Sequence, residues 1–366
     1  MGTKVPSNVS TYIKGCLSVL SKPQRKHFLT YICGLIWIIK FRSIREISRH
    51  FGNGLVDSLH HFMKNSACKS SELEQQQQHG IATILKGQNI LFAIDDTPCP
   101  RNGKHIEGIG IHHGADGFVK GLCAVTAIVK TQTHQFAWCI RQYVPKRQCS
   151  EGTFKSKIAI AIEILASTKK HFKQKVTVLM DAWYTCAPVL NTIIRAEWTF
   201  VAAIKQNRKI LVDGKETRVR YLAKGPRHYK TIRHGKRRLR VAKRIVYLPK
   251  VGTVALFICK YGRSRKFIIS NDIHLFTKEL VALYGERFEI EFFHKDIKQH
   301  LGFGELFVRS LAGVQKHWIL VVIVYNTVQL WQNTQSQSFR KKIFHIRATT
   351  SYCSLTDLPR KHNIAA

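Results

Sequence analysis

Apolar residues recur at three- and four-residue steps early in the chain: Ile13, Leu17 and Leu20, then Phe28, Ile32 and Leu35. That spacing predicts helices across residues 9–64. Within them, residues 43–50 open on a Ser43/Glu46 capping box, a Gly-Asn-Gly turn occupies 52–54, and residues 55–63 suit a second helix. The pair reads either as a helix-turn-helix over 43–64 or as an ordinary helical hairpin packed on the rest of the protein. A polar patch at 70–80, containing four consecutive glutamines from Gln75, has little apolar periodicity and is expected to link, or extend a helix, to the next domain, closing a helical DNA-binding region at 1–80.

From Asn89 the pattern changes to strands at 90–94, 122–129 and 136–144, rich in β-branched and aromatic residues. Helical spacing over 154–167, a buried strand at 176–180, a helix near 188–196 and a strand at 199–204 follow. This β-β-β-α-β-α-β order predicts an α/β fold with a mixed sheet, antiparallel first and parallel later, with helices on its faces. Helical periodicity returns at 277–301 and 311–331, and a basic tail covers 336–366.

Charge adds a partner to this outline. Lysine and arginine number 59 against 22 acids, a formal net charge of +37, and the polyanion that balances such a chain is nucleic acid. Ribosome-associated and membrane-surface proteins share that composition. Between positions 205 and 250 there are 17 lysines and arginines against two acids. Alternation there, as in 238–242 and 244–248, predicts twisted hairpins with one basic face, a β-rich insertion spanning 205–267. Lys236, Arg237, Arg238 and Arg240 are its expected DNA-backbone contacts, a better reading of 233–238 than a nuclear signal. Arg340, Lys341 and Lys342 read likewise.

Ten scattered cysteines form no Cys-x-x-Cys pair, which argues against structural zinc and fits a reducing compartment. The apolar stretch 29–39 is about half the roughly 20 residues of a membrane span, and residues 1–10 lack the order of a signal peptide, so a cytoplasmic, nucleoid-associated protein without membrane contact is expected.

Three carboxylates stand out by position. Asp95 and Asp96 end the first predicted strand and Asp181 the fourth, and strand ends are where open sheets gather ligands. Acids there that share a cation suit magnesium, which takes one or two carboxylates plus waters and phosphate oxygens. A lone strand-end aspartate is more often a turn or cap residue. In the helix predicted at 277–301, Tyr284, Arg287, Glu291 and Lys298 are spaced 3, 4 and 7 apart and fall along one face, which suits DNA phosphate beside a metal. Such a face is also common as salt-bridged surface. His112 and His113, in a glycine-rich loop, are expected to be solvated or phosphate-contacting rather than metal ligands.

Tyr-x2-Arg-x3-Glu-x6-Lys resembles the signature around the last acid of DDE insertion-sequence transposases of the YREK class. The segment 94–98, Ile-Asp-Asp-Thr-Pro, with Gly103 and Gly108, is similar to that family's first-acid segment, and 180–184 to its second. The likeness spans 90–331 in the expected order. It implies an RNase H-like core, 86–204 and 268–335, interrupted by the basic insertion. It further implies that Asp96, Asp181 and Glu291 hold two Mg²⁺ ions, replaceable by Mn²⁺. Asp96 precedes threonine as the usual ligand does, with Asp95 the alternative. Arg287 and Lys298 would grip transposon-end phosphates and Tyr284 the backbone near the cleaved strand. The implied activity is cut-and-paste transposition on double-stranded DNA, cutting terminal inverted repeats and joining them to target DNA, by a homodimer on the DNA. A non-catalytic or domesticated DNA-binding protein and a structure-selective RNase H-like nuclease are the competing functions. Some relatives hold a flipped base on a tryptophan of the insertion; none lies between Trp198 and Trp318 here, leaving Tyr221, Tyr229 and Tyr247 as substitutes.

Overall fold

The computed structural model describes residues 5–356, apart from 52, 53, 55, 65–67, 104, 115, 116, 224–227, 235, 236 and 332–336. The helices expected over 9–64 form as α1 (Ser7–Leu17), α2 (Lys22–Trp37), α3 (Ile44–Phe51) and α4 (Val56–Lys64). Gln24 caps α2 by accepting the Ser21 backbone N–H at 2.9 Å. At α3 only half of the expected capping box is made. The Ser43 hydroxyl accepts the Glu46 N–H at 3.0 Å, while the Glu46 carboxylate bonds Arg49 and, at 2.8 Å, His50. Residues 52 and 53 of the expected turn and residue 55, which opens the expected second helix, lie outside the described residues. Gly34 lets α2 approach α3, since a Cβ there would stand 2.5 Å from Ile47.

Next come α5 (Ser70–Ile84), β1 (Ile90–Pro100), β2 (Gly110–Gly114), β3 (Gly117–Lys130), β4 (Gln135–Tyr143), α6 (Lys157–Thr168), β5 (Val176–Met180), α7 (Ala187–Arg195) and β6 (Thr199–Ala203). The basic segment forms β7 (Lys209–Val212), β8 (Lys215–Arg218), β9 (Lys230–His234), β10 (Arg237–Leu248), β11 (Gly252–Tyr261) and β12 (Ser264–Ser270). After it stand α8 (Thr277–Gly285), a 3-10 turn at Glu286–Phe288, α9 (Glu289–His300), α10 (Leu311–Trp331) and α11 (Phe339–Thr349).

The chain divides into two compact units. Met1–Lys86, Asp96–Ser156 and Phe292–Ala366 form the first. In it, β2, β3 and β4 are antiparallel neighbours, and β3 lies beside the end of β1. Gly121 permits that approach, because a Cβ would meet the Cys99 carbonyl at 2.1 Å. Helix α10, long and apolar enough to cross a membrane by composition, is instead the buried centre of this unit. Its polar groups are met internally. Asn326 accepts the Ala137 N–H at 2.8 Å and donates to the Ala137 carbonyl at 2.9 Å and to Gln77 at 3.0 Å. Lys316 donates to the Phe62 carbonyl at 2.8 Å. The polar stretch around residue 80 is the helix α5, with Glu74 and Gln77 buried: Glu74 pairs with Arg141, and Gln77 donates to the Trp138 carbonyl at 2.6 Å. Left unpaired, each such buried group would cost roughly 1–3 kcal/mol.

Gly87–Asp95 and Lys157–Glu291 form the second unit. The start of β1 runs parallel to β5, and β5 to β6. β12 then adds antiparallel to β6, followed by β11 and β10. The last strand of the basic segment is therefore itself a sheet neighbour of β6. An antiparallel set of strands in the first unit and a parallel set in the second make a mixed α/β architecture consistent with an RNase H-like fold.

Candidate active site

Asp95 and Asp96 do not end a strand. β1 continues to Pro100, and the acids stand just beyond Ala93, the last residue paired with β5. As neighbours on a strand they point to opposite sides. In the second unit, Asp95 Oδ2 lies 3.5 Å from an Arg287 N–H donor. In the first, Asp96 Oδ2 accepts from the Cys123 thiol at 3.5 Å.

Asp181 directly follows β5, and both its carboxylate and its backbone carbonyl hold the turn that comes next. Oδ1 accepts the N–H of Trp183 at 2.9 Å and of Tyr184 at 3.3 Å, while its carbonyl takes the Thr185 hydroxyl at 2.8 Å. This is the turn that precedes α7, so the turn role expected of a lone strand-end aspartate is met here.

The Tyr284-to-Lys298 run is not one continuous α-helical face. Tyr284 ends α8, Arg287 sits in the tighter 3-10 turn and Glu291 opens α9. Gly285, a poor helix former, precedes that turn. The i,i+4 contact survives the break, since Arg287 donates to Glu291 Oε1 at 2.6 Å. The Arg287 side chain is 8% exposed and that of Glu291 51%, so a buried cation tethers a carboxylate whose remaining surface faces solvent. Desolvation opposes the Arg287 charge, but Tyr284, Glu291 and Asp95 more than offset it and its pKa is raised. The Tyr284 phenol is pushed up to about 12, chiefly by desolvation, with Arg287 lowering it and Asp181 and Glu291 raising it. The electrostatics thus group Asp95, Asp181, Tyr284, Arg287 and Glu291 within the second unit.

Lys298, also expected to grip DNA, lies in the first unit and is exposed. Partial desolvation lowers its pKa, while the thiols of Cys99 and Cys123 raise it. Asp96 and Lys298 are therefore both neighbours of Cys123. His112 is a buried strand residue rather than a loop ligand, its Nε2 3.1 Å from the Gly121 carbonyl and its ring edge-on to Tyr143.

On the basic hairpins, Arg238 and Arg240 are exposed, and Arg238 faces Arg233 directly across the β9–β10 pair. Like charges opposed this way are destabilising until an anion neutralises them. The backbone of Arg237 belongs to β10, whereas Lys236 lies outside the described residues. The Tyr229 ring is covered by Arg240 at 5.0 Å and Lys260 at 4.5 Å, while Tyr221 and Tyr247 are exposed.

Two side chains escaped the sequence reading. Trp183, 58% exposed and tied to Asp181 through its backbone, carries the Lys205 ammonium 5.1 Å from its ring. Its aromatic character beside an acid was a visible signal. Lys266 stands over Tyr284, and nothing in the sequence connects β12 to α8.

The acids supply only carboxylate oxygens, the donor chemistry of hard divalent cations. Among the described residues no three His, Cys, Asp or Glu side chains are grouped closely enough to hold one ion, and Arg287 engages both Asp95 and Glu291. No curated protein matches the chain. The family described as DDE superfamily endonuclease matches residues 15–246, a span that holds Asp95, Asp96 and Asp181 and stops short of Glu291. Such endonucleases generally act on DNA with divalent metal ions, and over well more than half its length this chain belongs to the DDE superfamily endonucleases.

Proposed function

We propose that this protein is a transposase that cleaves the ends of its mobile element and joins them to target DNA in a cut-and-paste reaction. The observation that carries the reading is the grouping of Asp95, Asp181, Tyr284, Arg287 and Glu291 from three distant segments, in the unit that also bears the basic hairpins. Asp181 and Glu291 would hold two Mg²⁺ or Mn²⁺ ions together with one acid of β1, either Asp96 beside Cys123 or Asp95 beside Arg287. Such cations would supply Lewis-acid stabilisation to a phosphodiester exchange.

The chain's own side chains position the strand. Arg287, held between Asp95 and Glu291, orients the Glu291 carboxylate through its 2.6 Å bond. Tyr284, with its phenol pushed up to about 12, keeps its proton at neutral pH and so donates a hydrogen bond to the DNA backbone rather than acting as a base. Lys298 adds a phosphate contact, and Asp181 fixes the β5–α7 turn on which its own carboxylate is carried. Arg238 and Arg240, with Lys236 and Arg237 beside them in sequence, bind duplex away from the reacting phosphate. Two ends must be cut together, so the working species is a pair of chains on paired terminal inverted repeats.

The test is an assay of purified protein, with Mg²⁺ or Mn²⁺, on a plasmid carrying the DNA that flanks its coding sequence. Nicking at the ends and joining to a second plasmid are expected; ends left intact under both ions would refute the proposal.

A further inference from the structure

Lys266 lies on β12, opposite Cys259 on β11. Its ammonium sits 4.7 Å from the centre of the Tyr284 ring and 5.6 Å from that of Phe288. The Arg287 guanidinium lies over the same two rings, at 5.9 and 4.6 Å. Two cations therefore converge on one pair of aromatic faces, a cation–π arrangement that fixes where both head groups stand. The convergence has a cost. Lys266 has its pKa lowered, first by desolvation and next by repulsion from Arg287, with Glu291, Cys259 and Asp181 acting in the opposite direction.

Arg287 is already balanced by Asp95 and Glu291. Among the described residues no carboxylate stands within ion-pairing distance of Lys266, which remains exposed while sensing both Asp181 and Glu291. An anion placed beside it would relieve the mutual repulsion of the two cations and restore the solvation that Lys266 has lost. A phosphodiester delivered to Asp181 and Glu291 is such an anion.

We propose that Lys266 binds a phosphate of the DNA strand lying against Asp181 and Glu291, so that the basic segment contributes a side chain to the reaction centre as well as an outward DNA-binding face. The inference rests on the DNA-processing function proposed above and assigns to that site a contact from β12.

Binding, without divalent ions and at fixed salt, separates this from a structural role. Duplexes of the flanking end, each with one phosphate replaced by a neutral methylphosphonate, are titrated with wild type, Lys266→Gln, Lys266→Arg and a charge control, Lys169→Gln. At one methylphosphonate position wild type should weaken about tenfold to a hundredfold, the range of a contact to a charged group. Lys266→Gln should show that loss on unmodified DNA and no further loss at that position, Lys266→Arg should recover most of it, and Lys169→Gln should keep the wild-type profile. The inference is overturned if Lys266→Gln, folded by its thermal transition, binds unmodified DNA like wild type or responds to every methylphosphonate as wild type does. Wild type that binds the end duplex no tighter than an unrelated duplex would overturn the proposed function, and this inference with it.

Discussion

Asp95 and Asp96 show how much one residue of register matters. Strand alternation sends them to opposite sides, and the structure gives them different company: a guanidinium for Asp95, a thiol for Asp96. With Asp96 as the metal-holding acid, Asp95 acts by steadying Arg287. Asp96→Asn should then lower end cleavage by several hundredfold or more, the scale of losing a centre that stabilises developing charge. Asp95→Asn should lower it only about tenfold, as expected for one charge-assisted hydrogen bond. Single-turnover cleavage rates decide, and the reverse ranking would make Asp95 the acid. The pair was visible in the sequence, but its division between partners was not, because that depends on what β3 and the 3-10 turn bring alongside.

Among the elements, the four-residue signature was legible and its geometry only partly so. Spacing predicted one continuous helical face, whereas the chain tightens at Glu286–Phe288, and what survives is the local pairing of Arg287 with Glu291. The basic segment was readable as hairpins from its alternation. That its last strand would pair with β6 and carry Lys266 to Tyr284 was not, since both depend on partners far away in sequence. The hairpin face makes a separate prediction. Replacing Arg238 and Arg240 with glutamine should reduce the slope of log affinity against log salt by about 2, close to 0.9 for each phosphate that the protein no longer neutralises. Affinities across a salt series measure this, and an unchanged slope would remove the face from the DNA interface.

For the whole molecule, β1 and the elements from β3 to β6 followed from hydrophobic periodicity, whereas β2 did not, since its residues 110–114 read as a glycine-rich loop. That the polar stretch at 70–80 is a helix, rather than a linker, was not decided by the sequence, because Glu74 and Gln77 are buried by partners on β4 and α10 that no local pattern reveals. Burial also sets a pH limit on the fold. Desolvation, aided by Lys298, holds His294 down to about 3, and desolvation holds His317 near 4, with nearby Arg101 and Arg42 also lowering it against the Gly302 carbonyl. Both depressed values lie below the ordinary histidine pKa of about 6.5, so the unfolded chain takes up protons first. Their contribution is complete above about pH 6.5 and declines as pH falls toward 4, by up to roughly 1.4 kcal/mol per pH unit for each ring. Urea unfolding at pH 7.5 and pH 5 should show a loss of a few kcal/mol that shrinks in His294→Gln. Equal stability at the two pH values would contradict the burial of these rings as neutral groups.

The account as a whole stands on the carboxylates, and Asp181 tests it most directly because its backbone and turn role survive an isosteric change. Strand transfer of the flanking ends by wild type and Asp181→Asn, side by side with Mg²⁺ and with Mn²⁺, is the decisive measurement. Joined product from wild type and none above background from the folded variant is the predicted result; equal strand transfer by the two proteins would contradict it.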